Sequence, residues 1–100
     1  MMLSHAVVLA EARSYIAALA DSTSSTDASL EYDRVLLQLD WLHGGAISRI
    51  TVVPSSDDRN VVHRVADAAI RTLADHAVDR LDLEICIAML DAAWELDEPS

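Results

Sequence analysis

The segment Leu81–Asp97, LDLEICIAMLDAAWELD, constrains this chain more than any other stretch. At helical spacing Glu84, Asp91, Glu95 and the following Glu98 fall at i, i+7, i+11 and i+14, which stacks the acids into one narrow stripe. Most of the other positions are apolar: Leu81, Leu83, Ile85, Cys86, Ala88, Met89, Leu90, Ala92, Ala93, Trp94 and Leu96. They would cover about two-thirds of a helical cylinder, whereas a surface helix usually buries a stripe nearer ~100° wide. A helix of this kind needs cover from two directions. It is expected to be the central beam of a small domain, or a beam shared between two copies of it.

The totals set the frame for that beam. One hundred residues make one small domain, 1–100. An apolar fraction of 52% with 24% charged residues is that of a folded chain, and only the polar run 21–29 reads as a flexible loop. The net charge is −10 and every base is an arginine, so the mean field repels nucleic acid and anionic membrane and favours basic partners. A local arginine patch can still bind phosphate against such a total. No apolar run reaches the roughly 18–20 residues that span a bilayer, and the N-terminus lacks the basic stretch of a secretory signal. A cytoplasmic location is the expectation. The single cysteine, Cys86, excludes an internal disulfide and sits in the greasiest run, which suits inert packing.

Taken in order, Ser4 can cap a helix from His5 to about Ala20, with Val8, Ala12, Tyr15, Ile16 and Leu19 on one apolar face. Its alanines keep it slim enough for a close neighbour. The polar run that follows breaks it, because short polar side chains compete for the backbone's hydrogen bonds. The stretch from Leu30 to Pro54 admits two readings. As a helix, Tyr32, Val35, Leu36 and Leu39 form one stripe, Leu30, Leu37 and Trp41 another, and Gly44-Gly45 supplies a C-cap. As a hairpin, Val35, Leu37, Leu39 and Trp41 alternate with Leu36, Gln38 and Asp40, His43-Gly-Gly45 turns, and Ile47–Val53 returns. The β-branched limb Ile50-Thr-Val-Val53, stopped by Pro54, favours the hairpin, since a strand needs a neighbour and 32–42 is the one available. Beyond it, Ser55 and Asp58 resemble a capping box for a helix to about Val78, whose inner face is Val62, Val65, Ala66, Ala69, Leu73 and Ala77. Its outer face carries Arg64, Asp67, Arg71 and Asp75, with Asp67 and Arg71 in the favourable i, i+4 order. The expected fold is therefore α+β: an N-terminal helix, a β-hairpin and two C-terminal helices. An all-α four-helix bundle is the alternative.

Chemistry is constrained mainly by exclusion. Two adjacent glycines forbid a G-x-G-x-x-G fingerprint, and the lack of lysine forbids a Walker loop and any Schiff base. The four histidines and one cysteine match no zinc spacing, and no acid pair has EF-hand spacing. No cofactor, metal or catalytic residue is expected. His63 and Asp67 lie one helical turn apart and could pair, but no nucleophile stands beside them in the sequence.

One stretch has a family likeness. Gly45-Ala-Ile-Ser-Arg-Ile-Thr-Val-Val-Pro54, followed by Ser-Ser-Asp-Asp58 and the helix Val61–Ala74, resembles the YbaB/EbfC family of small nucleoid-associated proteins over about residues 30–77. The resemblance implies a homodimer that binds DNA without strong sequence preference, with Arg34, Arg49 and Arg59 as candidate phosphate contacts. No basic cluster accompanies it, and a helix over 80–97 would be an addition to that family's plan.

The residues themselves point to a non-catalytic, acidic protein-interaction module of adaptor, chaperone, antitoxin or immunity type. Such a module would pair with itself as a homodimer and bind a basic or apolar partner surface. The candidate interface consists of Trp41, Leu83, Leu90 and Trp94 with the acids Glu84, Asp91 and Glu95, the tryptophans because such residues concentrate binding energy.

Overall fold

A computed structural model describes residues 5–42, 58–76 and 79–97. The first helix, α1 (His5–Ser22), buries Val8, Ala12, Tyr15, Ile16 and Leu19, the face its periodicity predicts. It outruns the expected end, and the turn after it is only residues 23–25. The polar run predicted as a loop over 21–29 is thus mostly helical. Local hydrogen bonds explain the short turn: Thr23 Oγ1 accepts from the Ser25 N–H at 3.1 Å, and Ser25 Oγ accepts from the Ala28 N–H at 3.2 Å. Ser25 thereby caps the next helix.

That helix, α2 (Thr26–Leu42), replaces the first limb of the predicted hairpin. In a strand Val35, Leu37, Leu39 and Trp41 would share a face. Here Val35 and Leu39 are fully buried, together with Ala28 and Tyr32, while Leu37 and Trp41 are 68% and 72% exposed. The helical period prevails because 30–42 holds a single β-branched residue, Val35, among good helix formers such as Leu, Glu, Arg and Gln. Among the described residues there is no strand, and the α+β expectation gives way to a small all-helical fold. The turn His43–Gly45 and the return limb 47–53 lie outside the described residues.

α3 (Arg59–Thr72) starts at Asp58, whose carboxylate accepts from the Asn60 N–H at 2.9 Å. Asp58 is therefore the cap itself and not the third residue of a capping box. Val62, Ala66, Ala69 and Ile70 face inward, Val65 is half-buried, and the helix tightens into a 3₁₀ turn over Leu73–His76. Asp79 accepts from the Leu81 N–H at 2.8 Å and opens α4 (Arg80–Asp97).

α1 packs on α2 and α3, and α4 packs on the same two, so α1 and α4 stand on one diagonal and α2 and α3 on the other. Both α1 and α3 offer buried alanines, Ala10 and Ala12 in the first and Ala66 and Ala69 in the second, and small residues permit close approach. Side-chain bonds give the directions. Arg59 at the start of α3 reaches Ser22 at the end of α1 and Asp97 at the end of α4, and Tyr32 near the start of α2 reaches the same Asp97. One end of the bundle therefore gathers the ends of α1 and α4 with the starts of α2 and α3. α2 runs antiparallel to α1 and to α4, and α3 does likewise. A forked pair, Arg13 Nε to Asp40 Oδ1 at 2.7 Å and Nη2 to Oδ2 at 3.0 Å, ties α1 to α2 towards the other end. No helix among the described residues is long and apolar enough to cross a membrane.

Candidate functional site

Two surfaces stand out once the bundle is assembled: a polar knot at one end, and an open apolar face along α2 and α4.

The knot centres on Asp97, whose side chain is 7% exposed. Its carboxylate accepts from the Thr23 hydroxyl, from the Tyr32 hydroxyl at 3.0 Å and from the Arg59 guanidinium. Arg59 also donates to Ser22 Oγ and lies 6.0 Å from the centre of the Trp94 ring, within cation–π range. His63 stacks on Trp94, with ring centres 4.5 Å apart and 20° between planes. Its Nε2 is 3.7 Å from Asp91 Oδ1, beyond hydrogen-bond range, and has no hydrogen-bond partner among the described residues. Burial pushes the Tyr32 hydroxyl up to about 12, against the opposing pull of the Arg59 charge. Every helix contributes, so the knot ties the bundle together; its one carboxylate is engaged by three donors. Asp67 pairs with Arg71 at 2.9 Å, and it is Asp91 on α4 that comes nearest His63. Among the described residues no three His, Cys, Asp or Glu side chains stand close enough to hold a metal ion. Cys86 is buried in the core, and desolvation with the nearby Asp82 pushes its thiol up to about 11, which keeps it protonated at neutral pH.

The second surface follows from the two apolar rows of α4. Leu83, Cys86, Leu90 and Ala93 point into the bundle and are buried. On the opposite side Leu81, Ile85, Ala88, Ala92 and Leu96 form a row at i, i+4, i+7, i+11 and i+15, and all five are exposed. α2, its neighbour, shows an outward row of Leu30, Leu37 and Trp41 with Arg34 set among them. Glu84, Asp91 and Glu95 flank the α4 row on its α3 side, all exposed. Single exposed leucines are unremarkable on a protein surface; rows aligned on two neighbouring helices form a patch.

The predicted interface residues divide between these environments. Trp41 is on the open face, with Glu84, Asp91 and Glu95 at its edge. Leu83 and Leu90 belong to the core of a single copy, and Trp94 is half-buried against His63. Leu30 and Leu37 belong, with Trp41, to the second stripe of the helical reading of this segment, whereas Leu81, Ile85 and Leu96 are not set apart by the sequence, where a second apolar row on an already apolar helix carries no separate mark. Of the arginines implied by the nucleoid-protein resemblance, Arg34 is exposed and paired with Glu31 at 3.1 Å, Arg59 is bound into the knot, and Arg49 lies outside the described residues. Arg34 and Arg59 stand on diagonal helices and are not brought together. Over the span of that resemblance, 30–42 is helical, 43–57 is outside the described residues and 59–72 is the alanine-bearing α3.

A cleft where α3 ends and α4 begins, lined by Arg71, Ala74, Arg80, Leu83, Glu84 and Ile87, brings together no converging set of groups among the described residues. Arg71 is engaged by Asp67, and Arg80 stands 4.0 Å from Glu84. No family model, curated protein or solved structure matches this chain.

Proposed function

We propose that this protein is a non-catalytic interaction module whose binding surface is the outward face of α2 and α4. The observation that carries this reading is the pair of aligned apolar rows, Leu30, Leu37 and Trp41 beside Leu81, Ile85 and Leu96, none of which the bundle itself buries. Removing such rows from water supplies the non-directional part of an association, roughly 25 cal/mol per Å² of apolar area. Trp41 is the natural anchor, since a large amphipathic ring loses little rotamer freedom on docking. The acids Glu84, Asp91 and Glu95 set the choice of partner: an apolar helix or strip that carries basic groups is attracted, and an acidic one is repelled. The polar knot keeps the bundle rigid behind this face.

A photo-crosslinking amino acid placed at Leu37 or Ile85 in cells tests the reading. Covalent adducts to protein are expected at these positions and not at Arg64 on the far side of α3. Equal yields from both sides, or none from the α2/α4 face, would overturn it.

A further inference from the structure

We infer that the occupant of the α2/α4 face is a second copy of this chain, so that α2 of each copy lies on α4 of the other. This rests on the reading of the face just given and goes beyond it by naming the partner. The two helices are unlike in ways that fit each other. α2 presents large side chains, Leu37 and Trp41, and one cation, Arg34, whose side chain is 68% exposed. α4 presents small residues, Ala88 and Ala92, between the larger Ile85 and Leu96, with acids along one edge. An apolar helix carrying an arginine is what the α4 row with its acids would recognise, and α2 is such a helix: Arg34 is paired with Glu31 of its own turn yet keeps most of its side chain open to a second carboxylate.

The heights also agree. A two-fold axis parallel to the helices and lying in this face exchanges α2 with α4 while leaving every height along the bundle unchanged. Heights can therefore be read within one copy. Thr23, just before α2, and Tyr32, whose long side chain leans back toward the start of the helix, both bond to Asp97, which places Asp97 level with the first two turns of α2. Because the helices are antiparallel, equal steps down α2 and back along α4 stay level to within about one turn, ~5 Å. Arg34 is two residues beyond Tyr32, and Glu95 two before Asp97. Leu37 and Ala92 are matched at five residues, Trp41 and Ala88 at nine. Leu37 and Trp41 thus lie alongside the stretch of the partner's α4 that carries Ala88 and Ala92 between Ile85 and Leu96, and Arg34 lies alongside its acids Asp91 and Glu95. Large-into-small matching of this kind is how helices interdigitate. Asp33 falls on the outer rim of the contact, exposed to solvent, where salt screens its repulsion from the partner's acids.

The contact is modest. Two helices of about 25 Å set about 10 Å apart present roughly 500 Å² in projection, at the lower end of what a specific interface needs, so a reversible dimer is expected rather than a permanent one.

Sedimentation velocity and equilibrium on the full chain, from about 1 to about 200 μM, read this directly. A reversible monomer–dimer equilibrium is expected. Trp41→Ser and Ile85→Ser should each weaken it at least tenfold, with the helical circular dichroism unchanged. Arg34→Glu and Glu95→Arg should each weaken it, and the double variant should recover most of the loss, because the same two charges face each other in reversed order. A strict monomer throughout this range overturns the inference, as does a dimer indifferent to Trp41→Ser and Ile85→Ser. Charge reversals that do not compensate overturn the pairing of α2 with α4. A monomer that nonetheless gives cross-links from Leu37 to a different protein removes self-pairing and leaves the binding face standing; a monomer without cross-links removes both.

Discussion

The two sides of α4 are close to equal in greasiness and opposite in fate. Leu83, Cys86, Leu90 and Ala93 are sealed against α2 and α3, while Leu81, Ile85, Ala88, Ala92 and Leu96 look outward. Hydrophobicity alone does not say which row is the core. What decides it is which row the other helices can reach, and the knot at Asp97 contributes by holding the end of α4 to Thr23, Tyr32 and Arg59. Rotating α4 by half a turn would bury Leu81 and Ile85 but pull that carboxylate away from its donors.

The contrast is broken most forcefully by shaving the inner row. Leu90→Ala removes a fully buried side chain and should cost about 2–5 kcal/mol in urea unfolding, while Ile85→Ala on the outer row should stay within about 0.5 kcal/mol at micromolar protein. Similar costs for the two would mean that both rows are core. Next in size is the knot. Asp97→Ala leaves the Tyr32 hydroxyl without its acceptor and the Arg59 guanidinium with Ser22 but no carboxylate. Breaking a buried pair costs about 3–5 kcal/mol, and since the Arg59 side chain is 30% exposed to screening water, a loss of about 2–3 kcal/mol is expected in thermal unfolding. A loss no larger than that of an exposed pair such as Arg71–Asp67 would show that the end of α4 is held by packing alone.

A smaller, pH-dependent loss comes from Tyr32. Its hydroxyl ionises at about 12 in the folded protein against an ordinary value of 10.0, because burial disfavours the phenolate. The unfolded chain therefore releases this proton first, and between the two values it binds fewer protons than the native state. The contribution is intact below pH 10 and drains away as pH rises towards 12, an upper bound of about 2.7 kcal/mol for two pH units and about half that after screening. Tyr32→Phe should flatten this alkaline fall in a denaturation series, at the expense of the hydrogen bond to Asp97; an unchanged slope would assign the fall to other groups.

Much of this fold could be read from the chain, and the exceptions have physical causes. The inward faces of α1 and α3 follow from apolar residues at helical spacing against polar ones, as with Val8, Ala12 and Ile16 or Val62, Ala66 and Ala69. The segment 32–42 misleads because its apolar positions satisfy both periods: Val35, Leu37, Leu39 and Trp41 alternate as a strand would, yet Tyr32, Val35 and Leu39 also recur as a helix requires. Preferring the strand there followed from the β-branched 50–53, a stretch outside the described residues. The knot was not legible at all. Its bonds join residues separated by 38, 65 and 74 positions, and nothing local distinguishes Asp97 from the other acids of an acidic tail. Which positions look outward was only half legible: Trp41, Glu84, Asp91 and Glu95 are exposed, but that Leu83 and Leu90 are buried while Leu81 and Ile85 are exposed depends on the neighbours of α4 being in place.

The subtlest expected effect belongs to the outer row. Ile85→Ser exchanges an exposed apolar side chain for a polar one in a helix that remains capped at Asp79 and tied at Asp97. In dilute solution its unfolding midpoint should lie close to that of the parent, since the row is exposed and outside the buried core. At higher concentration the two should part. Association that binds only the folded state raises apparent stability with the logarithm of concentration over the dissociation constant, so the parent's melting temperature climbs while that of Ile85→Ser stays flat. Parallel curves at every concentration would mean that this face stays open in the purified protein. A midpoint lowered even in dilute solution would mean that Ile85 packs within its own chain, and the distinction between the two rows of α4 would be gone.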